Sequence, residues 1–300
     1  MMSLKDKTSL KYSETFYSFQ GEGKYVGIPS LWMRFFLCNL QCDGFGQDDP
    51  TSPDTYDLPY EKIDLTDITD VMDLPVFEKG CDSSYTWSKR FRHLISERSV
   101  EQAVDELTAL LPSGKFQHPE TFQDTHMVFT GGEPLLKPTQ RGLIQVMQEF
   151  EARGNLPKFV TIETNGTTHI TDPLKEYIKS YTENGGEWYW SISPKLWSTA
   201  GELAKKAIKP DVVGEYAATS SVGQLKYVVN GSEASWDEVV FNTKMFREAG
   251  CDFPVWIMGI GGTVEGLKQN EASIANEAIR RGYNYTSRVH CHVYGNTPGT

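Results

Sequence analysis

Cys38-Asn39-Leu40-Gln41-Cys42 places two thiols four positions apart in a stretch without helix or strand pattern. In a loop both sulfurs can face one centre, and thiolates suit zinc or an iron–sulfur cluster. The plain alternative is a pair of buried cysteines, since unpaired cysteine is often simply buried. A second constellation is Thr130-Gly131-Gly132-Glu133-Pro134. Paired glycines let a backbone approach a ligand closely. Their N–H and C=O groups, beside the Glu133 carboxylate, suit an ammonium group. Glu163-Thr164-Asn165-Gly166 and Ser193-Pro194-Lys195 come next. Each reads as an ordinary turn or as a polar group set at a strand end.

These motifs need elements to position them. Residues 14–38 read as an extended segment, a Gln20-Gly21-Glu22-Gly23 turn, and an aromatic-rich strand at 30–37. Apolar spacing predicts a helix from Ser99, its N-cap, to Leu111, and another over 139–153 closed by Gly154. Further strands are predicted at 127–129, 159–162, 188–192, 224–229, 255–258 and 288–293. Strands alternating with helices predict an α/β fold with a parallel sheet. A curved sheet or barrel places its chemistry at the C-terminal ends of the strands, where the polar motifs fall. Residues 43–80 carry many Asp and Thr and four prolines, and read as an irregular excursion, functional or mobile.

Composition bounds the rest. The 300-residue chain has a net charge of −11, which disfavours a binder of nucleic-acid backbone. No apolar run is long enough to cross a bilayer. The start, MMSLKDKTSLKYSE, lacks the apolar core of a secretory signal. The expected location is therefore the cytoplasm. Five cysteines, an odd number, argue against a disulfide framework there. Cys251 and Cys291 lie in or beside predicted strands and read as buried. His290 and His292, two apart in the last predicted strand, read as a hydrogen-bonded pair on one face.

Taken in order, Gln20-Gly21-Glu22-Gly23, Gly27-Ile28-Pro29, Arg34 and the Cys38–Cys42 loop resemble the N-terminal signature of radical S-adenosylmethionine (SAM) enzymes. More narrowly, they resemble the 7-carboxy-7-deazaguanine synthase family. That family has Cys-x3-Cys-x2-Cys followed by Asp-Thr. Here position 45 is Phe45, and the next cysteine, Cys81, precedes Asp82-Ser83. Residues 43–80 then read as an insertion within the cluster loop of a single domain covering 1–300.

The resemblance implies a partial or modified TIM-like barrel of the radical SAM type. It implies a 4Fe-4S cluster on Cys38, Cys42 and Cys81, with SAM chelating the open iron. SAM contacts would come from Gly132, Glu133, Glu163, Ser193, Pro194, Lys195 and Gln224. Mg²⁺ would take the Ser83 hydroxyl, a hard oxygen ligand. The substrate would meet Phe19, Gln20, Gly21, Arg34, Thr130 and the Thr300 carboxylate. The implied reaction is ring contraction of 6-carboxy-5,6,7,8-tetrahydropterin to 7-carboxy-7-deazaguanine with loss of ammonia, begun by a 5′-deoxyadenosyl radical. An electron donor such as flavodoxin and a homodimer are the implied partners. Two alternatives stay open. One is a radical SAM activase acting on a partner protein. The other is a non-catalytic metal protein with zinc on Cys38, Cys42, Cys81 and His93.

Overall fold

Successive side chains of a strand point to opposite faces, and here one face is apolar and the other polar. The computed structural model describes residues 9–300. Nine strands form one sheet: β1 (Ser9–Phe19), β2 (Pro29–Phe35), β3 (Ser96–Ser99), β4 (His126–Gly131), β5 (Phe159–Thr164), β6 (Glu187–Ile192), β7 (Gly223–Val229), β8 (Val255–Gly259) and β9 (Asn284–Tyr285). Their order is β3-β1-β2-β4-β5-β6-β7-β8-β9. The ladder from β2 through β9 is parallel. β1 is antiparallel to both its neighbours. The sheet runs from β3 to β9 without closing, so the fold is α/β with a mostly parallel, partial barrel, as the alternation predicts.

The helices are α1 (Pro59–Lys62), α2 (Val100–Leu110), α3 (Lys137–Ala152), α4 (Asp172–Glu183), α5 (Trp197–Ala200), α6 (Ala204–Ala207), α7 (Pro210–Thr219), α8 (Glu233–Glu248), α9 (Val264–Arg280) and α10 (Val289–Tyr294). Ser99 caps α2 as predicted, in a reciprocal box with Gln102. None of these helices is long and apolar enough to cross a membrane. Leu31, Met33 and Phe35 of β2, Val160 and Ile162 of β5, and Leu225, Tyr227 and Val229 of β7 face the helices. They share one core with Leu143 and Val146 of α3 and Leu174 of α4. The alternate positions, Thr130, Ser191, Gln224 and Lys226, are polar yet buried. Register lays this inner set side by side: Arg34 opposite Thr130, Glu163 opposite Ser191, Ser191 opposite Gln224.

Residues 43–80 are irregular in backbone but not loose. Tyr60, Val71, Leu74 and Phe77 pack with Tyr85, Phe91 and Leu94 in a second apolar cluster. Asp70 and Asp73 close a reciprocal cap around the turn Val71–Asp73. One expectation is corrected: the segment predicted as a strand at 288–293 forms helix α10, Val289–Tyr294, instead. The edge of the sheet is taken by β9, and Thr286 N donates to Ile257 O at 2.9 Å. Gly295, at φ 71°, then caps α10 in the left-handed conformation that suits glycine. At 3.6 residues per turn, His290 and His292 cannot share a face. His292 turns to Ser287 and Glu271, while His290 packs on Gly21. Cys251 and Cys291 are fully buried, as read.

Candidate active site

The inner polar set opens at the C-terminal ends of the strands into a cavity of about 300 Å³. Of the residues singled out from sequence, Phe19, Gln20, Gly21, Arg34, Ser83, Thr130, Gly132, Glu163, Ser193, Lys195 and Thr300 line it. Cys38, Cys42 and Cys81 lie together beside it, in one apolar cluster with Leu40, Phe45, Ala200 and Ala207. The thiols are close enough to perturb one another, and burial pushes Cys38 up to about 11 and Cys81 to about 12. A bound cation would reverse that order, since a coordinating thiol is deprotonated outright.

Asn165 ties the motifs together. Its Nδ2 donates to Asn39 Oδ1 at 2.9 Å and lies 4.0 Å from Cys38 Sγ, and its backbone N donates to Glu133 Oε2 at 2.8 Å. Leu40 N also points at Cys38 Sγ, at 3.4 Å. N–H groups aimed at sulfur stabilise a thiolate ligand. Gly132 packs so tightly on this loop that a Cβ there would strike the Leu37 carbonyl. The donor set therefore fits a cluster held by three thiolates. Among the described residues no group of three or more His, Cys, Asp or Glu side chains is disposed to hold a single ion. A four-iron cube is larger than an ion and takes thiolates spaced more widely. The zinc alternative is not assembled. His93 is exposed, and its Nε2 pairs with Ile68 O at 3.1 Å.

Glu133 does not reach the cavity. It is fully buried, and its carboxylate accepts from Leu135 N (2.9 Å), Thr164 Oγ1 (2.8 Å) and Asn165 N (2.8 Å). Burial still raises its pKa to about 7. Its work is to lock the Gly-Gly turn onto the end of β5. Glu133→Gln is expected to destabilise the protein by about 1–3 kcal/mol in a urea melt. Either amide orientation sets an N–H against a backbone N–H, of Leu135 or of Asn165. A melt unchanged within error would mean that the turn does not depend on this carboxylate.

Gln224 also departs from its expected place. It is buried, donating to Ser191 Oγ at 2.9 Å and accepting from Lys24 N at 3.1 Å. It anchors the floor and does not line the cavity. Pro194 is buried as well. Arg34 lines the wall, but its Nε is paired with Glu14 at 2.6 Å. Tyr85 shares the same carboxylate at 2.7 Å, and Ser83 Oγ lies 3.4 Å from Arg34 Nη1. Ser83 Oγ is 3.2 Å from Asp82 Oδ1. Gln20 donates to Glu163 at 3.1 Å. Thr300 sits at the mouth, its hydroxyl donating to Thr297 O at 2.5 Å. Gly299 beside it is pressed on Met72, which brings the chain end against the 43–80 segment.

Sequence reasoning missed the charged floor. Lys226 Nζ lies 2.5 Å from Glu22 and 3.1 Å from Glu163. Arg288 bonds Glu22 at 3.0 Å and Asp82 at 2.8 Å. Burial alone would raise the Glu22 pKa, but Lys226 and Arg288 outweigh it and hold the carboxylate far below its usual range. Burial, then Arg288, pushes His290 at the cavity wall down to about 4, so it is neutral at pH 7. One signal was available: a lysine in an apolar strand at Leu225-Lys226-Tyr227. Glu202 was also missed. Its buried carboxylate accepts from Gln41 N (2.7 Å) and Cys42 N (3.0 Å), fixing the cysteine loop.

No family model matches the chain. A 7-carboxy-7-deazaguanine synthase of Rhodopirellula baltica is 25% identical over 307 residues, 98% of this chain and 90% of the relative. One from Halobacterium salinarum is 27% identical over 316 residues, covering 98% and 94%. A third, from Pyrobaculum aerophilum, is 26% identical over 286 residues, covering 95% of each. The crystal structure of QueE from Escherichia coli superposes with a TM-score of 0.53 at 16% identity, over 94% of this chain and 95% of that one. That structural likeness bears on the fold.

Proposed function

We infer that the chain is a member of the 7-carboxy-7-deazaguanine synthase family and that it contracts 6-carboxy-5,6,7,8-tetrahydropterin to 7-carboxy-7-deazaguanine with loss of ammonia. The observation that carries this reading is the junction at Asn165, where the three-thiol loop, the Gly132 turn and the cavity meet. In this reading Cys38, Cys42 and Cys81 hold a 4Fe-4S cluster, and residues 43–80 are an insertion between the second and third thiols of a single domain. When bound, the cluster and SAM supply reductive cleavage of a sulfonium and, through it, removal of a hydrogen atom from the substrate.

The chain's own residues do the positioning. The Gly131-Gly132 backbone offers carbonyls to the SAM ammonium, with Ser193, Lys195 and Glu163 around it. Arg34, already countered by Glu14, turns its Nη1 edge toward the cavity and the substrate carboxylate. Ser83 and Asp82 present hard oxygens for Mg²⁺, which would orient that carboxylate as a Lewis acid. Gln20 from the floor and the neutral His290 from the wall face the ring. The tail at Thr300, braced by Met72, closes the mouth and excludes water. A homodimer, a flavodoxin-type reductant and a cytoplasmic location belong to the same reading.

The test is anaerobic turnover. Reconstituted protein, SAM, a low-potential reductant, Mg²⁺ and 6-carboxytetrahydropterin are expected to give a product lighter than substrate by one ammonia. Cleavage of SAM to 5′-deoxyadenosine with the pterin intact would retain the radical chemistry and sink the substrate assignment.

A further inference from the structure

Arginine carries its N–H donors on one rigid plane, so the edge it offers a ligand depends on what holds the rest of that plane. Arg34 stands directly opposite Glu14 on the antiparallel β1–β2 pair. Its Nε donates to Glu14 Oε1 at 2.6 Å, and its guanidinium lies over the Phe16 ring at 5.8 Å. Nη1 makes only long approaches, to Ser83 Oγ at 3.4 Å and Gly131 O at 3.5 Å, both on the cavity wall.

Arginine and carboxylate commonly pair through two parallel bonds. Glu14 does not. Its Oε1 also accepts from the Tyr85 hydroxyl at 2.7 Å, while Oε2 is buried without a hydrogen-bond partner among the described residues. One oxygen carries two donors and the other none, so Tyr85 holds the carboxylate off the two-bond geometry.

Tyr85 is itself set by parts of the chain remote from β1. Its ring packs with Tyr60, Val71, Leu74 and Phe77 of the 43–80 segment. Its backbone belongs to the turn Ser84–Thr86, where Ser84 N donates to Cys81 O at 3.1 Å and Thr86 N to Ser83 O at 2.9 Å. Leu37 N pins the exit of the turn by donating to Thr86 O at 2.6 Å. A phenylalanine would fill the space of the ring but would not hold the carboxylate.

We propose that Tyr85 is a positioning residue for the substrate: by holding Glu14 in a one-oxygen pair, it keeps the Nη edge of Arg34 open to the substrate carboxylate. The proposal rests on the reading that Arg34 grips that carboxylate. It gives the 43–80 segment a part in substrate recognition, because the apolar cluster of that segment seats the Tyr85 ring. In Tyr85→Phe, Glu14 can turn Oε2 onto the guanidinium, and the two-bond pair then withdraws Arg34 from the ligand.

The test is equilibrium binding to the reconstituted holoprotein with SAM and Mg²⁺ but no reductant, so that no turnover occurs. The two ligands are 6-carboxy-5,6,7,8-tetrahydropterin and the tetrahydropterin that lacks the carboxylate. Tyr85→Phe is expected to weaken the first by about tenfold, the scale of one charge-assisted hydrogen bond, and to leave the second within about twofold. Iron per chain is expected to stay at the wild-type level. Wild-type affinity for the carboxylated ligand would overturn the proposal. So would equal weakening of both ligands, which is a general packing effect, or loss of iron, which would assign Tyr85 to the cysteine loop. Arg34→Met separates the proposal from the reading beneath it. Selective loss of the carboxylated ligand in Arg34→Met, with none in Tyr85→Phe, leaves Arg34 its role and removes that of Tyr85. No selective loss in Arg34→Met removes both.

Discussion

The Cys81→Ala protein is expected to fold, to hold little iron, and to lose turnover by more than about a hundredfold. Loss of a metal's outer-shell partner costs about 10–100-fold, and a direct ligand is worth more. The physical question is how a thiol 39 residues beyond Cys42 can serve the same centre. The second apolar cluster answers it. Tyr60, Val71, Leu74 and Phe77 pack on Tyr85, Phe91 and Leu94, so the excursion folds back on the segment that follows Cys81. Gly80 N then donates to Phe45 O at 2.7 Å, pinning the returning strand of the loop next to where a third cysteine would otherwise stand. Cys81 contributes little to that packing, so its loss leaves the fold standing. Cys291→Ala is the control. It removes a fully buried thiol from α10 and is expected to keep iron, colour and activity. Iron and sulfide per chain, with visible absorbance under anaerobic conditions, read the result. A Cys81→Ala protein with full iron would place the third ligand elsewhere.

The parallel strands were legible because each is a short apolar run bounded by Gly, Pro or Asn, and their polar exits carry the motifs. The last strand was not. Val289-His290-Cys291-His292-Val293 alternates like a strand, but the edge position was already filled by Asn284–Tyr285, and tertiary context decided against local propensity. The site was legible where chemistry concentrates in motifs: the cysteine loop, the Gly132 turn, Ser193-Pro194-Lys195. It was illegible where the work is shared across the sheet. Lys226, Glu22 and Arg288 are far apart in sequence, and nothing in the neighbourhood of any one of them names the other two. Glu133 and Gln224 sit in motifs or strands that point to ligands. Yet both are spent on backbone and neighbouring side chains, a difference that only the surroundings of each side chain reveal.

Lys226→Met is expected to be the most destabilising substitution in the cavity, by about 3–5 kcal/mol, because it leaves buried charge uncompensated. Against a total of about 5–15 kcal/mol, that is a large share. Lys226 counters two carboxylates at once, Glu22 at 2.5 Å and Glu163 at 3.1 Å. Without it Glu22 keeps Arg288, but Glu163 keeps only Gln20 and Ser191. Turnover is expected to fall with stability, since Gln20 and Glu22 line the cavity. The pH dependence separates this cause from a simple packing defect. In the wild type Glu22 is held far below its ordinary 4.5. Its share of stability is therefore fully present above pH 4.5 and is lost only as pH falls toward the depressed value. In the variant the largest opposing charge is gone, burial dominates, and Glu22 takes up a proton earlier. The stability gap between the two proteins should then be widest near pH 7 and narrow as pH falls toward 4. Adding Glu163→Gln removes one stranded charge and should restore part of the loss, a coupling measured by the double-mutant cycle. A gap that stays constant with pH, with no coupling between positions 226 and 163, would mean that Lys226 acts through volume alone and that the floor is not held by charge.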